Sequence, residues 1–186
     1  MAITLRAISL ADKDLYRETR LRALRDTPSA FGSTYAREAA FTDAEWQQRT
    51  ANLNAGRAIG FLALDDGQPC GLVAAFPKTD DPVAHIEIVS MWVAPTHRRL
   101  GVGTLLIDGI KNWAAARNAH ELLLMVTGNN QSAIDFYLRN GFTPTGHTGP
   151  YPNDPTILEH EMRCTLTGTP PGGVPFHIMK GGDRAW

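Results

Sequence analysis

Two arginines and two glycines are crowded into one short stretch, Arg98-Arg99-Leu100-Gly101-Val102-Gly103. Before it, Glu87 to Val93 is mostly β-branched and apolar, as expected of a buried strand. Pro95 ends that ladder because it has no N–H to donate. From Val102 the apolar residues fall at helical spacing, Val102, Leu105, Leu106, Ile110 and Trp113. Strand, glycine turn and helix, with cations at the turn, suit a phosphate. The first N–H groups of a helix have no internal partner, and the helix dipole adds positive potential there. Glycines keep Cβ atoms out of an oxyanion's way, and arginine supplies donors that stay charged.

The commonest phosphate loops do not fit. A Walker loop needs G-x-x-x-x-G-K-[ST], which is absent from the chain. A dinucleotide fingerprint needs G-x-G-x-x-G, but Leu106 stands where the third glycine would be. The stretch instead resembles the pyrophosphate loop of the GCN5-related N-acetyltransferase (GNAT) family, [QR]-x-x-G-x-[GA] after a strand ending in V-x-P. Here Val93-Ala94-Pro95 precedes Arg98 to Gly103. A second segment, Asn130 to Phe142, is similar to that family's N-x-x-A-x-x-x-Y-x-x-x-G-F, through Asn130, Ala133, Tyr137, Gly141 and Phe142. The resemblance covers about residues 3–166.

The resemblance implies acetyl-CoA as cosubstrate; the histidine spacing separately argues against a metal. It assigns Arg98, Arg99, Leu100, Gly101, Val102, Gly103 and Thr104 to the CoA pyrophosphate. Main-chain groups of Met91, Trp92 and Val93 would face the pantetheine, because a strand whose neighbour splays away leaves N–H and C=O groups unpaired. One such N–H could polarise the thioester carbonyl. Tyr137 takes the place of the family's general acid, although the same helix position also suits a packed aromatic. Asn130 is a cofactor contact or simply a helix N-cap. Glu87 lies where several members carry a catalytic glutamate; burial would raise its pKa toward that of a working base, but a structural carboxylate is the other reading. The loops Phe31–Tyr35 and Gly149–Pro155 border the acceptor groove by the same resemblance and carry no motif.

The elements that must hold these groups follow from patterning. Ile3–Ala7 alternates as a strand, and 11–25 reads as an amphipathic helix. Residues 27–35 read as a loop or short helical turn. Thr42-Asp43-Ala44-Glu45 is a capping box opening a helix to about Ala51, with Phe41 and Trp46 as its staple. Strands 58–64 and 70–76 are joined by a hairpin turn at Asp65-Asp66-Gly67-Gln68. A central strand over 83–93 leads into a helix over 101–117. The continuous apolar run Glu121–Thr127 is a strand buried on both faces. Asn130 opens a helix over 131–139, stopped by Asn140-Gly141. Residues 146–155 are too rich in Pro and Gly to be regular, between two final strands. The sum is an α/β (α+β) fold, one mixed and mostly antiparallel sheet with helices on both faces. The resemblance adds that its central strands splay apart.

Composition sets outer limits. A chain of 186 residues, 43% hydrophobic and 20% charged, is globular and by default one domain, here 1–166, with a Pro/Gly-rich tail at 167–186. A net charge of −1 argues against nucleic acid, and no apolar run reaches a membrane span, so the expected compartment is the cytoplasm. Cys70 and Cys164 read as buried free thiols, and the histidines lack metal-ligand spacing. The tail retains Phe176, Ile178, Met179 and Trp186, which either drape over the surface or dock on this subunit or a neighbour, leaving a homodimer open. The expected function is acetyl transfer to a primary amine of a small molecule by direct attack in a ternary complex. Acetylation of a protein N-terminus or lysine is the alternative, and a non-catalytic acyl-CoA-binding module is the rival of another class.

Overall fold

A computed structural model describes residues 3–54, 56–78 and 85–166. The start of the central strand at 83–84 and the whole 167–186 tail lie outside the described residues. Ile3–Ala7 forms β1 at one edge of the sheet. A short 3-10 turn at Leu10–Asp12 leads into α1, Lys13–Asp26, and a second such turn occupies Pro28–Ala30. A five-residue helix, α2 (Tyr35–Ala39), follows, opened by the Thr34 side chain accepting from the Arg37 N–H. That helix is not apparent in the patterning, which offers little periodicity over one turn and a half. The capping box behaves as read: Thr42 and Glu45 exchange bonds at the start of α3, Asp43–Asn52.

Ile59–Asp65 (β2) and Gln68–Pro77 (β3) are joined at Asp66 and Gly67, whose φ angles of 47° and 79° give a two-residue turn with left-handed residues at both centres. His85–Val93 is β4, Val102–Ala115 is α4 and Glu121–Thr127 is β5. Gln131–Arg139 is α5, stopped by Gly141 at φ 85°. The sheet closes with Thr143–Tyr151 (β6) and Asp154–Thr165 (β7). Much of 146–155, expected to be irregular, is therefore strand. The reason is its place at the edge: β6 pairs only with β7, so prolines there lose no second ladder bond. The register shift between Pro144 and Thr148, with Gly146 at φ 88°, absorbs the awkward residues in a bulge.

The seven strands run β1-β2-β3-β4-β5-β7-β6, antiparallel except for β4 beside β5. Each face buries an apolar cluster. On one, α4 and α5 pack over residues such as Val73, Ile88, Leu122 and Leu124. On the other, α1 to α3 cover Leu62, Leu72, Ala74 and Trp92. Cys70 and Cys164 are both buried free thiols.

Candidate active site

Among the described residues β4 and β5 pair at three positions, His85–Glu121, Ile86–Leu122 and Glu87–Leu123. Beyond Glu87 the strands part, so the β5-facing edge of β4 from Ile88 to Val93 has no ladder partner. The other edge of β4 stays on β3, with a bulge: Leu72 faces Trp92 and Ala74 faces Val89, so Ser90 and Met91 oppose Val73 together. Ser90 sits there at φ 59°, a conformation that costs a non-glycine residue about 1–3 kcal/mol. A bulge re-aims the groups around it, and here those groups line the open edge.

At the C-terminal end of β4, Arg99 and Gly101 take φ of 64° and 83° on either side of Leu100, just before α4. Left-handed residues beside the N-terminus of a 14-residue helix turn successive N–H groups to one side, a concavity for an anion. A Cβ built on Gly101 meets nothing within 4 Å, so the space beside the turn is open. Val102 is buried and can offer only main chain, whereas Leu100 is exposed. The two glycines do different work. A Cβ at Gly103 would stand 2.9 Å from Phe136 Cε2, so that glycine lets α5 close onto α4.

Arg98, read from the sequence as a pyrophosphate ligand, turns its side chain the other way. Its guanidinium bonds the Asp26 carboxylate and the Thr27 hydroxyl, and its Nε donates to the Val93 carbonyl at 3.0 Å. Asp26 also accepts from the Trp92 indole at 2.9 Å. Burial alone would raise the Asp26 carboxyl, but the bonds from Trp92 and Thr27 and the Arg98 charge hold it below the ordinary value. Arg98 thus ties the turn to the end of α1, leaving the main chain of the turn and the exposed Arg99 to meet an anion. On the far side His97 Nε2 lies 3.2 Å from Asp65 Oδ2, which fastens the same turn to the β2–β3 hairpin.

Asn130 caps α5, its Oδ1 accepting from the Ala133 N–H at 3.2 Å. That helix brings Tyr137 against Phe136 and Phe142, with ring centroids 5.2 and 5.7 Å away. Tyr137 is 8% exposed, and burial pushes its phenol well above the ordinary value of 10.0, so the proton stays on at any neutral pH. Met91 belongs to the apolar cluster under α4 and α5, and its Cε lies 3.4 Å from where a Gly103 Cβ would be. Trp92 is buried on the opposite face.

Glu87 is half-buried and stands opposite Phe76 on β3 and Leu123 on β5. A second carboxylate accompanies it. Glu159 on β7, in register with Thr127, has its carboxyl raised, first by burial and then by the charge of Glu87. The sequence reading missed Glu159 because its strand adjoins the Pro/Gly-rich stretch, and no motif marks it. Two other sets of contacts escaped it as well. Arg20 and Glu38 form a buried ion pair between α1 and α2. Tyr151 and Asn153, at the β6–β7 turn, both donate to the Phe31 carbonyl, at 2.8 and 2.7 Å. Tyr151 and Asn153 join the two loops, Phe31–Tyr35 and Gly149–Pro155, that the resemblance places at the acceptor groove, but no motif in either loop marks the contact.

Residues 20–142 match the model of the acetyltransferase (GNAT) family, which is well over half of the described chain. The chain belongs to the GNAT family. It is 33% identical over 90 residues to N-acetyltransferase family 8 member 2 of Rattus norvegicus, a stretch covering 47% of this chain and 39% of that one. An uncharacterized N-acetyltransferase of Methanocaldococcus jannaschii is 36% identical over 87 residues, covering 47% and 35% respectively. The chain thus spans well under half the length of these relatives. Among solved structures, a protein of Salmonella typhimurium determined with its cofactor acetyl-CoA superposes with a TM-score of 0.73 at 17% identity, over 96% of this chain and all of that one. A GNAT acetyltransferase of Streptococcus pneumoniae gives 0.72 at 21% identity, over 89% and 100%. At such identities the likeness establishes the GNAT fold. Among the described residues no helix is long and apolar enough to cross a membrane.

Proposed function

We propose that this GNAT protein transfers the acetyl group of acetyl-CoA to the primary amine of a small molecule, by direct attack in a ternary complex. The observation that carries the proposal is the parting of β4 from β5 beside the convergent amides of the Arg99–Gly101 turn. Acetyl-CoA supplies an activated thioester. The residues present fit it: the turn offers main-chain donors and open space to a pyrophosphate, and the unpaired edge of β4 offers N–H and C=O groups to an amide-containing arm. Val93 has its carbonyl bonded to Arg98 and Trp92 sits in the β3 ladder opposite Leu72, so Met91 and the Val93 N–H are the better placed of the three expected pantetheine contacts. An N–H at the bulge supports polarisation of a carbonyl.

Tyr137 holds its proton at neutral pH and is the donor to a departing thiolate. Glu87 is the base that takes the amine's proton, and Glu159 is the neighbouring carboxyl raised first by burial and then by the Glu87 charge. A small acceptor is favoured by the roof of the groove. The Pro28–Ala30 turn lies against β5, and Tyr151 and Asn153 bolt the following residues to the β6–β7 turn. The segment between α1 and α2 therefore crosses the gap rather than leaving an open trough for a folded protein.

Thiol release from acetyl-CoA, measured against a panel of diamines, amino sugars, amino acids and lysine- or N-terminal peptides, tests the reading. Turnover is expected with a small amine. Turnover with peptides alone would replace the acceptor class, and binding of acetyl-CoA without any transfer would leave an acyl-CoA-binding module.

A further inference from the structure

Arg20 is 4% exposed and Glu38 is fully buried, which places an ion pair in an otherwise apolar layer over the sheet. The pair is bidentate, Arg20 Nε to Glu38 Oε2 at 3.0 Å and Nη2 to Oε1 at 2.8 Å. Burial alone would raise the Glu38 carboxyl, yet the bonds and charge of Arg20, with Arg49 and Ser33, hold it below its ordinary value. Such an arrangement orients a guanidinium tightly, because its planar fork is matched by both carboxylate oxygens. The remaining arm is the informative one. Arg20 Nη1 donates to Ser90 Oγ at 3.1 Å.

Ser90 is the left-handed residue of the β4 bulge. A strained backbone conformation persists only where its surroundings over-determine it. On its β5 side the bulge has no ladder partner, and on its β3 side the register is interrupted at this residue. Arg20 is the directional contact from outside the strand that reaches it among the described residues. The other end of the chain of contacts is anchored too. Glu38 lies on α2, and the loop before α2 is bolted through the Phe31 carbonyl to Tyr151 and Asn153. Phe31 itself lies under the Arg20 guanidinium, 4.6 Å from ring centroid to Cζ.

We infer that Arg20 is a positioning residue for acetyl transfer: held by Glu38, it clamps the Ser90 bulge so that the following N–H groups of β4 keep their aim into the gap. The inference rests on the transferase reading above. It also makes the roof over the acceptor and the edge that receives the acetyl group one mechanical unit.

The test uses two routes into the same contact. Ser90→Ala removes the acceptor and keeps the Cβ, and Arg20→Met/Glu38→Leu removes the clamp while replacing a buried pair by apolar side chains of similar volume, a change that commonly keeps a protein folded. Both variants, and their combination, are compared with wild type for kcat, KM for acetyl-CoA, and hydrogen exchange of the amides in residues 88–93. Each is expected to lower kcat ~10-fold or more, short of the ~10²–10³-fold that follows outright loss of an oxyanion donor. KM for acetyl-CoA should stay within ~2-fold, and the combination should be no worse than the worse parent, since both break one contact. Exchange over 88–93 should quicken in each while α4 and α5 exchange as before. A simple structural role would slow turnover and weaken cofactor binding together, in proportion to lost stability. Unchanged exchange over 88–93, losses that multiply in the combination, or unaltered kcat in a folded Ser90→Ala protein would each overturn the inference. If the wild type transfers to no amine, the transferase reading falls, and the exchange rates alone decide whether the clamp exists.

Discussion

The two faces of the sheet are held by different physics. Under α4 and α5 the polar bonds are few, such as Lys111 donating to the Asn140 carbonyl at 2.7 Å, and small residues set the distances: Gly103 admits Phe136, and a Cβ on Gly109 would lie 2.4 Å from Leu5 Cδ2. Dispersion and burial are non-directional, so this face can be built by any residues that fill it well. Under α1 to α3 the packing is punctuated by bonds that work in one direction only. Arg20 grips Glu38, Trp92 and Arg98 grip Asp26, and Tyr151 grips the Phe31 carbonyl. In the proposed function the first face carries Tyr137, the proton donor, and the second forms the acceptor side, where one amine would be told from others. Non-directional packing suffices for a scaffold, whereas a selective groove calls for groups fixed in orientation.

The contrast is sharpest in stability. Glu38→Ala strands Arg20 as an uncompensated buried charge, and the expected loss is about 3–5 kcal/mol. Gly103→Ala forces a Cβ into Phe136, and the expected loss is about 1–3 kcal/mol. Denaturant unfolding of both variants checks the order; a reversal would mean that packing, not the polar bonds, dominates both faces. The same carboxylate gives a pH signature. Because its folded pKa lies below the ordinary 4.5, Glu38 contributes stability above pH 4.5 that is lost as pH falls through the folded value. Glu38→Gln should flatten that acid limb.

Next in size is Tyr137→Phe, which keeps the ring against Phe136 and Phe142 and removes the hydroxyl. Turnover should fall ~10²-fold while acetyl-CoA affinity holds, as measured by steady-state kinetics and calorimetry. Near-wild-type turnover would make Tyr137 a member of the apolar face and nothing more.

The smallest of the expected effects, yet the most discriminating for the acceptor side, is Glu87→Gln. Turnover should drop mainly at low pH, and removal of its charge should let Glu159 ionise at lower pH, read from the side-chain carboxyl carbon shift. If turnover keeps its height and only the acid limb of the rate–pH profile moves down, Glu159 rather than Glu87 accepts the proton.

How much of this was legible in residues alone differs between the faces in the same way. Periodicity placed α4 and α5, the apolar run placed β5 to the residue, and the arginine–glycine turn pointed to an anion beside a helix start. These are local features, decided by hydrogen bonds and side chains a few positions apart. Local too is the capping of α5 by Asn130. What only the tertiary structure decided are encounters across long stretches of chain. Arg98 meets Asp26, 72 positions away, and so ties the glycine turn to the end of α1. Arg20 meets Ser90 across 70 positions, and Tyr151 meets Phe31 across 120. Glu159 becomes a neighbour of Glu87 only because β7 inserts beside β5. Even the edge strand β6, written in prolines and glycines that locally oppose a strand, exists because β7 offers it a partner. Local spacing determines which elements form and where an anion can rest; which side chains face one another across a gap depends on topology, and no periodicity records it.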